Sequence, residues 1–347
     1  MLSRAAVKQL VRCGRVCYPC NHREFSQEKH YEGLKSAMAE LGGVVPKWSP
    51  PVSEIMAFNA APMDTLTENQ LTVLARAHFE AHPTDIPIDK ARACVLWERA
   101  MQKGSPEASY CYAMCLVKGM GTEKDVQAGK NLLVAMSDTN PYAPADLALA
   151  KLLRTGDKSI GLESNPELAF SHLAFAATRG LVEAQFSVAN AYWAGDGCEK
   201  SDVTAIYWFK AAAMGGNRDA KFVLGTVYSK GLGGTDEEED AQTQGWEFYC
   251  QAADAGCVRS MFNVGVEHLQ DASTLVEKNV ATAAHWFEKS AALGFLPAIT
   301  NLGNMYRDGL VGRAEKGGGK DMATAREWYQ KGADAGDETC KELLKQT

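Results

Sequence analysis

From about residue 68 onward, small, apolar and polar residues recur along the chain at helical spacing. Ala220, Leu224-Gly225 and Tyr228 fall at i, i+4, i+5 and i+8, and Gly231 follows. These positions share one face of an α-helix, with small residues set beside large ones. Ala298, Leu302-Gly303, Tyr306 and Gly309 keep the same offsets, as do Ala184, Val188-Ala189, Tyr192 and Gly195. Weaker copies put Leu153 and Gly156, Leu116 and Gly119, and His268 and Asp271 in the Tyr and Gly slots. A second pattern alternates with the first. Two aromatics are followed by small residues and a glycine in Trp208-Phe209 to Gly216, Phe248-Tyr249 to Gly256, Trp286-Phe287 to Gly294 and Trp328-Tyr329 to Gly336. Degenerate copies close at Gly104, Asn140 and Gly180, so successive closing positions lie 36, 40, 36, 40, 38 and 42 residues apart.

Each period predicts a helical hairpin. Small residues let the two helices approach closely, and the Trp or Tyr fills the gap between neighbouring pairs. The glycine after each helix suits a left-handed cap, which glycine and asparagine adopt most cheaply, and Asn140 in a glycine slot obeys that rule. A hairpin of this kind cannot bury its apolar faces alone, and stacking completes the core. These residues resemble the Sel1-like repeats, relatives of the tetratricopeptide repeats. The resemblance covers residues 68–347 in about seven units, of which the four C-terminal copies match best. Ordinary tetratricopeptide repeats keep a stricter 34-residue period and a Pro after the second helix; here the period is longer and that Pro is missing. The resemblance implies an all-α protein, a right-handed α-solenoid of about seven helix-turn-helix repeats.

The chain ahead of the repeats has a different composition. Arg4, Lys8, Arg12 and Arg15 stack on one face of a possible helix from Met1 to Val16, and no acid interrupts it. A basic, amphipathic, acid-poor start is the pattern of a mitochondrial transit peptide. Arg23-Glu24-Phe25-Ser26 is similar to a matrix-protease cleavage motif. Residues 1–25 are therefore expected to be an address, with the mitochondrial matrix as destination. Residues 26–67 read as a connector, because Gly42-Gly43 and the run Pro46 to Pro51 oppose a continuous helix, although a short helix can form over Tyr31 to Leu41.

Charge narrows the partners. Without residues 1–25 the chain keeps 31 Lys and Arg against 42 Asp and Glu. An acidic body repels phosphate backbones, so direct nucleic-acid binding is not expected. No run approaches the roughly 18 apolar residues of a membrane span.

The seven His and ten Cys raise the question of metal or thiol chemistry. Cys17 and Cys20 form a CxxC with no second pair at zinc spacing. Cys111 and Cys115 share a helix face, and Cys250 and Cys257 flank a helix end. Cysteine-rich bacterial Sel1 proteins bridge adjacent helices at a fixed spacing in every repeat. This chain does not repeat its cysteines, so reduced thiols are expected. His78 and His268 occupy Tyr slots and read as packed imidazoles; His82 lies beside Pro83, where a helix ends. Gly312 to Lys320 fails as a phosphate loop because Asp321 follows the lysine. The acidic run Asp236 to Asp240 suits a helix start. No catalytic, metal or cofactor site is expected.

Solenoids present a concave face lined by the first helix of each pair, and that face binds peptides or proteins. Asn190, Lys221, Asn263, Asn301 and Asn304 are its expected outward positions. Asn amides can pair with an extended peptide backbone, or can simply be solvated. The expected function is a non-catalytic scaffold or adaptor with protein partners, as a subunit or assembly factor of a mitochondrial complex. The alternative is an RNA-associated repeat protein linked to the mitochondrial ribosome.

Overall fold

The computed structural model describes residues 50–80, 86–139, 142–160, 162–232, 238–271, 273, 275–311 and 319–346. The transit segment 1–25, the helix expected over Tyr31 to Leu41, Gly42-Gly43, His82 and the Asn140 cap lie outside these residues. So do Asp236 of the acidic run and most of the loop from Gly312.

Among the described residues the regular elements are all helical; the only ladder contact is an isolated bridge between Asp157 and Leu162. A first helix, α1 (Val52–Ala60), and a 3₁₀ turn (Met63–Thr65) precede seven helix pairs. These are α2 (Glu68–Phe79) with α3 (Lys90–Gln102), α4 (Pro106–Lys118) with α5 (Val126–Thr139), and α6 (Ala143–Thr155) with α7 (Pro166–Thr178). They continue as α8 (Val182–Ala194) with α9 (Asp202–Met214), and α10 (Arg218–Ser229) with α11 (Glu238–Asp254). The last are α12 (Val258–Glu267) with α13 (Val280–Ala292) and α14 (Leu296–Arg307) with α15 (Met322–Asp334); α16 (Glu338–Gln346) closes the series. The chain divides into two compact units, Met1–Trp208 and Phe209–Thr347. Within each unit, helices pack mainly on their neighbours in sequence, as expected when every hairpin buries its faces against the next.

The end of the connector is folded. Pro51 stands at the N-cap of α1, where its missing donor costs nothing, and Ile55 of that helix is fully buried. Ile55 and Leu66 join Leu71, Leu74 and Trp97 in the first core cluster.

Three residues link each second helix to the next first helix, and the caps explain how so short a link works. Gly256 has φ +87°, and the Cys257 amide donates to the Ala252 carbonyl five residues back at 2.9 Å. This is the wrapped C-terminal motif that a left-handed glycine permits. Cys257 is at the same time the N-cap of α12. The same bond recurs from Ser105 to Ala100, Leu181 to Ala176, Asn217 to Ala212, Phe295 to Ser290 and Asp337 to Gly332. Asp271, which occupies a glycine slot, does not adopt positive φ; α12 ends early, at Glu267.

Helix pairs are joined by a small-against-large contact. A methyl group on Gly225 would come within 2.7 Å of the Tyr249 ring, and one on Gly265 within 2.7 Å of the Phe287 ring. Gly303 faces Tyr329 in the same way. The large residue seven before the closing position is buried in six of the seven pairs: Trp97, Leu133, Leu173, Phe209, Phe287 and Tyr329 are all 5% exposed or less, while Tyr249 is half-buried. The aromatic just before it is half-buried and packs toward the adjoining hairpin. Trp286 of α13 lies on the cluster of Ala253, Met261 and Val264, and Trp328 of α15 on the cluster holding Phe287 and Leu302. The outer faces of these rings carry Lys289 and Lys331, whose ammonium groups sit 4.5 and 4.0 Å from the ring centres.

Candidate functional site

The first helices of two hairpins in the N-terminal unit enclose a recess. Ala108 of α4 and Ala145 of α6 are fully buried and face their partner helices. On α4, Tyr110, Met114 and Val117 are spaced i, i+4 and i+7 and share a face; on α6, Leu147 and Lys151, and Ala148 and Leu152, are each four apart and lie on one flank. Tyr110, Met114 and Val117 of α4 therefore form one stripe, and Leu147, Ala148, Lys151 and Leu152 of α6 form another. Between these stripes runs a groove of about 440 Å³, floored by Leu133 of α5 and closed at one end by Leu181 and Glu183 at the start of α8.

The groove is apolar along its walls and charged at its rim. The Tyr110 ring packs at a tilt against Tyr142, with ring centres 5.8 Å apart, and burial raises the pKa of both phenols, Tyr142 to about 12. Both hydroxyls therefore stay neutral. Lys151 pairs with Glu183 at 2.5 Å, and nearby Arg154 pairs with Asp196 at 3.1 Å. Lys118 stands exposed at the end of the α4 stripe. The Thr155 hydroxyl is turned back on the Lys151 carbonyl at 3.1 Å. An apolar recess with a few polar groups at its edge has the make-up of a binding surface.

The five residues expected on a binding face do not form one site. Asn190 is exposed on α8, its amide donating to the Phe186 carbonyl at 3.0 Å. Asn263 and Asn301 occupy the same register as the groove-lining Ala148. Asn263 lines a smaller recess of about 210 Å³ in the second unit with Ser229, Trp246, Tyr249 and Glu267. Asn304 is engaged internally, because its Oδ1 accepts the Tyr329 hydroxyl proton at 2.8 Å. The same register in α10 holds Thr226, which accepts from Tyr249 at 3.0 Å, and in α12 holds Val266, opposite a phenylalanine without a hydroxyl. Asn304 thus completes a helix-to-helix contact. Lys221 is half-buried, one residue after the buried Ala220, at the register where Asp146, Gln185, Met261 and Ile299 are buried.

His78, His268 and five of the cysteines are packed within the fold. His78 is 3% exposed, donates from Nδ1 to the Pro87 carbonyl at 3.2 Å and meets the Asn59 side chain at 3.2 Å. Burial lowers its pKa. His268 is half-buried with its ring edge against Trp246. Cys94, Cys115, Cys250, Cys257 and Cys340 are free thiols, and burial raises the pKa of Cys94, Cys115, Cys340 and Cys250, the last to about 11. Raised thiols are poor nucleophiles. Sequence reading missed one polar cluster: Asp146 of α6, fully buried, accepts from Ser137 of α5 at 2.7 Å and lies 3.0 Å from Nδ1 of His172 of α7. Among the described residues no group of three or more His, Cys, Asp and Glu is placed to hold a metal, and no helix is long and apolar enough to cross a membrane.

Comparison with known proteins agrees with this architecture. A chitin synthase regulator of Saccharomyces cerevisiae is 26% identical over 253 residues, 71% of this chain and 35% of the yeast protein. An uncharacterised protein of Neisseria meningitidis is 26% identical over 249 residues, 63% of this chain and 50% of its own length. The chain thus spans half or less of these relatives. A Sel1 repeat protein from Oxalobacter formigenes superimposes with a TM-score of 0.63 at 24% identity, covering 98% of this chain and 89% of that one. A protective antigen of uropathogenic Escherichia coli superimposes with a TM-score of 0.62 at 21% identity, covering 98% of this chain and 66% of the antigen. The Sel1 repeat model matches residues 143–181, 182–217, 218–257, 258–295 and 296–337 without a break, and the two helix pairs before them follow the same design. With more than half of its length matched, the chain belongs to the Sel1-repeat family.

Proposed function

We propose that this protein is a non-catalytic adaptor that holds a partner protein in the groove between α4 and α6. One observation carries the proposal: the walls are side chains of an apolar stripe on each helix, with charge confined to the rim. That arrangement is a protein-binding surface, an apolar centre with a polar border. Sel1-repeat proteins are generally interaction scaffolds or adaptors, and relatives of this chain carry the names of chitin synthase regulators. A photo-crosslinking side chain in place of Ala148 tests the reading. A discrete adduct, absent when the crosslinker replaces an exposed residue outside the groove such as Gln330, is the expected result; adducts independent of position would sink it.

The basic start of the chain supports a mitochondrial setting for this adaptor, as a subunit or assembly factor of a larger complex. Residues 1–25 fused to a fluorescent protein should direct it to the matrix, and replacement of Arg4, Lys8 and Arg12 by glutamate should leave it in the cytosol. Matrix delivery unchanged by those replacements would remove the address. Co-migration of the chain with a large assembly on a native gel separates a stable subunit from a transient assembly factor.

A further inference from the structure

We infer that the occupant of this groove is an amphipathic α-helix of about three turns, with an acidic residue just beyond its last apolar anchor. The inference rests on the groove being a protein-binding surface and adds the conformation and charge of what enters it.

Backbone satisfaction decides the conformation. The walls are two helices whose amide and carbonyl groups are already paired within the helix. Of the polar side chains at the rim, Lys151 is paired with Glu183 and the Thr155 hydroxyl with the Lys151 carbonyl, and Lys118 lies at the end of the stripe, where it can meet one side chain but cannot serve a length of backbone. An extended segment laid between Leu147, Leu152 and Leu133 would bury its own N–H and C=O groups with nothing to receive them, a costly state. A helix pairs those groups internally and offers only side chains. Extended peptides need a sheet edge or a ladder of side-chain amides, and this groove has neither.

The dimensions fit the same occupant. Tyr110, Met114 and Val117 lie at i, i+4 and i+7, so the stripe is about 10.5 Å long at 1.5 Å per residue. Anchors at i, i+4 and i+7 of an incoming helix span that same length. The small Ala148 stands between Leu147 and Leu152 and leaves a depression in the α6 wall for an incoming side chain, as in the packing of ridges into grooves. Charge sets the polarity of the ligand. Lys118 follows Val117 directly and is exposed, whereas Lys151 and Arg154 already hold Glu183 and Asp196. An Asp or Glu one turn after the last anchor would meet the Lys118 ammonium.

The test is selection of random peptides of about 14 residues, displayed on phage, against the full chain. Parallel counter-selections use Met114→Glu and Ala148→Trp, each checked for wild-type helicity by circular dichroism. The second fills the groove without adding charge. Winning peptides are synthesised and titrated by fluorescence anisotropy. The expected winners carry aliphatic residues at i, i+4 and i+7 followed by an acid, and bind neither variant. A proline between their anchors should weaken them about 100-fold, the penalty of a proline inside a helix. Lys118→Glu should weaken them several-fold at low salt and less at high salt. Winners with alternating apolar residues, or winners indifferent to the proline, would overturn the helical occupant while leaving the groove a binding surface. Winners indifferent to Lys118→Glu would overturn the acidic flank. Winners that bind wild type and both groove variants equally would remove the groove itself.

Discussion

Replacing Gly225 by alanine sets two effects of opposite sign against each other. Gly225 lies inside α10 at ordinary helical dihedrals, so alanine suits the backbone and should gain about 1 kcal/mol of helix propensity. The added methyl, however, would stand 2.7 to 2.9 Å from three atoms of the Tyr249 ring. Carbon atoms rest at about 3.5 Å or more, so the ring must retreat by roughly 0.8 Å. It is not free to do so. Its hydroxyl is bound to Thr226 at 3.0 Å, and Phe222 stands against it with ring centres 5.8 Å apart. Overpacking of this kind costs about 2–3 kcal/mol, which leaves a net loss of about 1–2 kcal/mol. Other hairpins show the remedy: where the slot holds Ala113 or Ala150, the residue opposite is Leu133 or Leu173. Urea unfolding followed by circular dichroism on wild type, Gly225→Ala, Tyr249→Leu and the double variant measures the coupling. In the leucine background the alanine should be neutral or stabilising. A single Gly225→Ala variant more stable than wild type, or an equal loss in both backgrounds, would refute the steric account.

Other expectations follow from buried polar groups. Asp146→Ala removes the acceptor that joins α5, α6 and α7 and should cost about 1–3 kcal/mol in the same urea experiment, with Asp146→Asn costing less. His78 has a pKa lowered by burial, so the folded protein binds its proton more weakly than the unfolded chain. Its contribution to stability is complete above about pH 6.5 and is lost as the pH falls below that value. His78→Gln should flatten the stability profile between about pH 7 and pH 5, and an unchanged slope would exclude this residue as its source. Cys250, raised to about 11, should react slowly with iodoacetamide near pH 8 and about tenfold faster per pH unit up to that value. Rapid labelling at neutral pH, mapped by mass spectrometry, would contradict that environment.

Much of this fold was legible before any coordinates. The offsets among Ala220, Gly225 and Tyr228, and the glycine after each helix, are local properties of a helix face and a helix end. Local rules fix them: the 3.6-residue period chooses the face, and positive φ chooses glycine. Membership of the four C-terminal hairpins in one repeating design could therefore be read from spacing, and the three degenerate hairpins before them could be placed by period alone. The caps bear this out at Gly256 and its equivalents, while Asp271 shows that a slot filled by the wrong residue loses the conformation.

Which exposed-looking residue meets solvent was not a local property. Asn304 and Lys221 sit on α14 and α10 at positions that one helix alone leaves open, yet a tyrosine from the next helix takes up the first and the packing register half-buries the second. Asp146 reads as a surface carboxylate until α5 and α7 close over it with Ser137 and His172. The groove shows the same dependence. Tyr110, Met114, Ala148 and Leu133 come from three helices of weakly conforming repeats and share no motif, so no linear pattern marks them. Only the stacking of hairpins brings their side chains together, because a cavity is defined by the space between elements rather than by the sequence of any one.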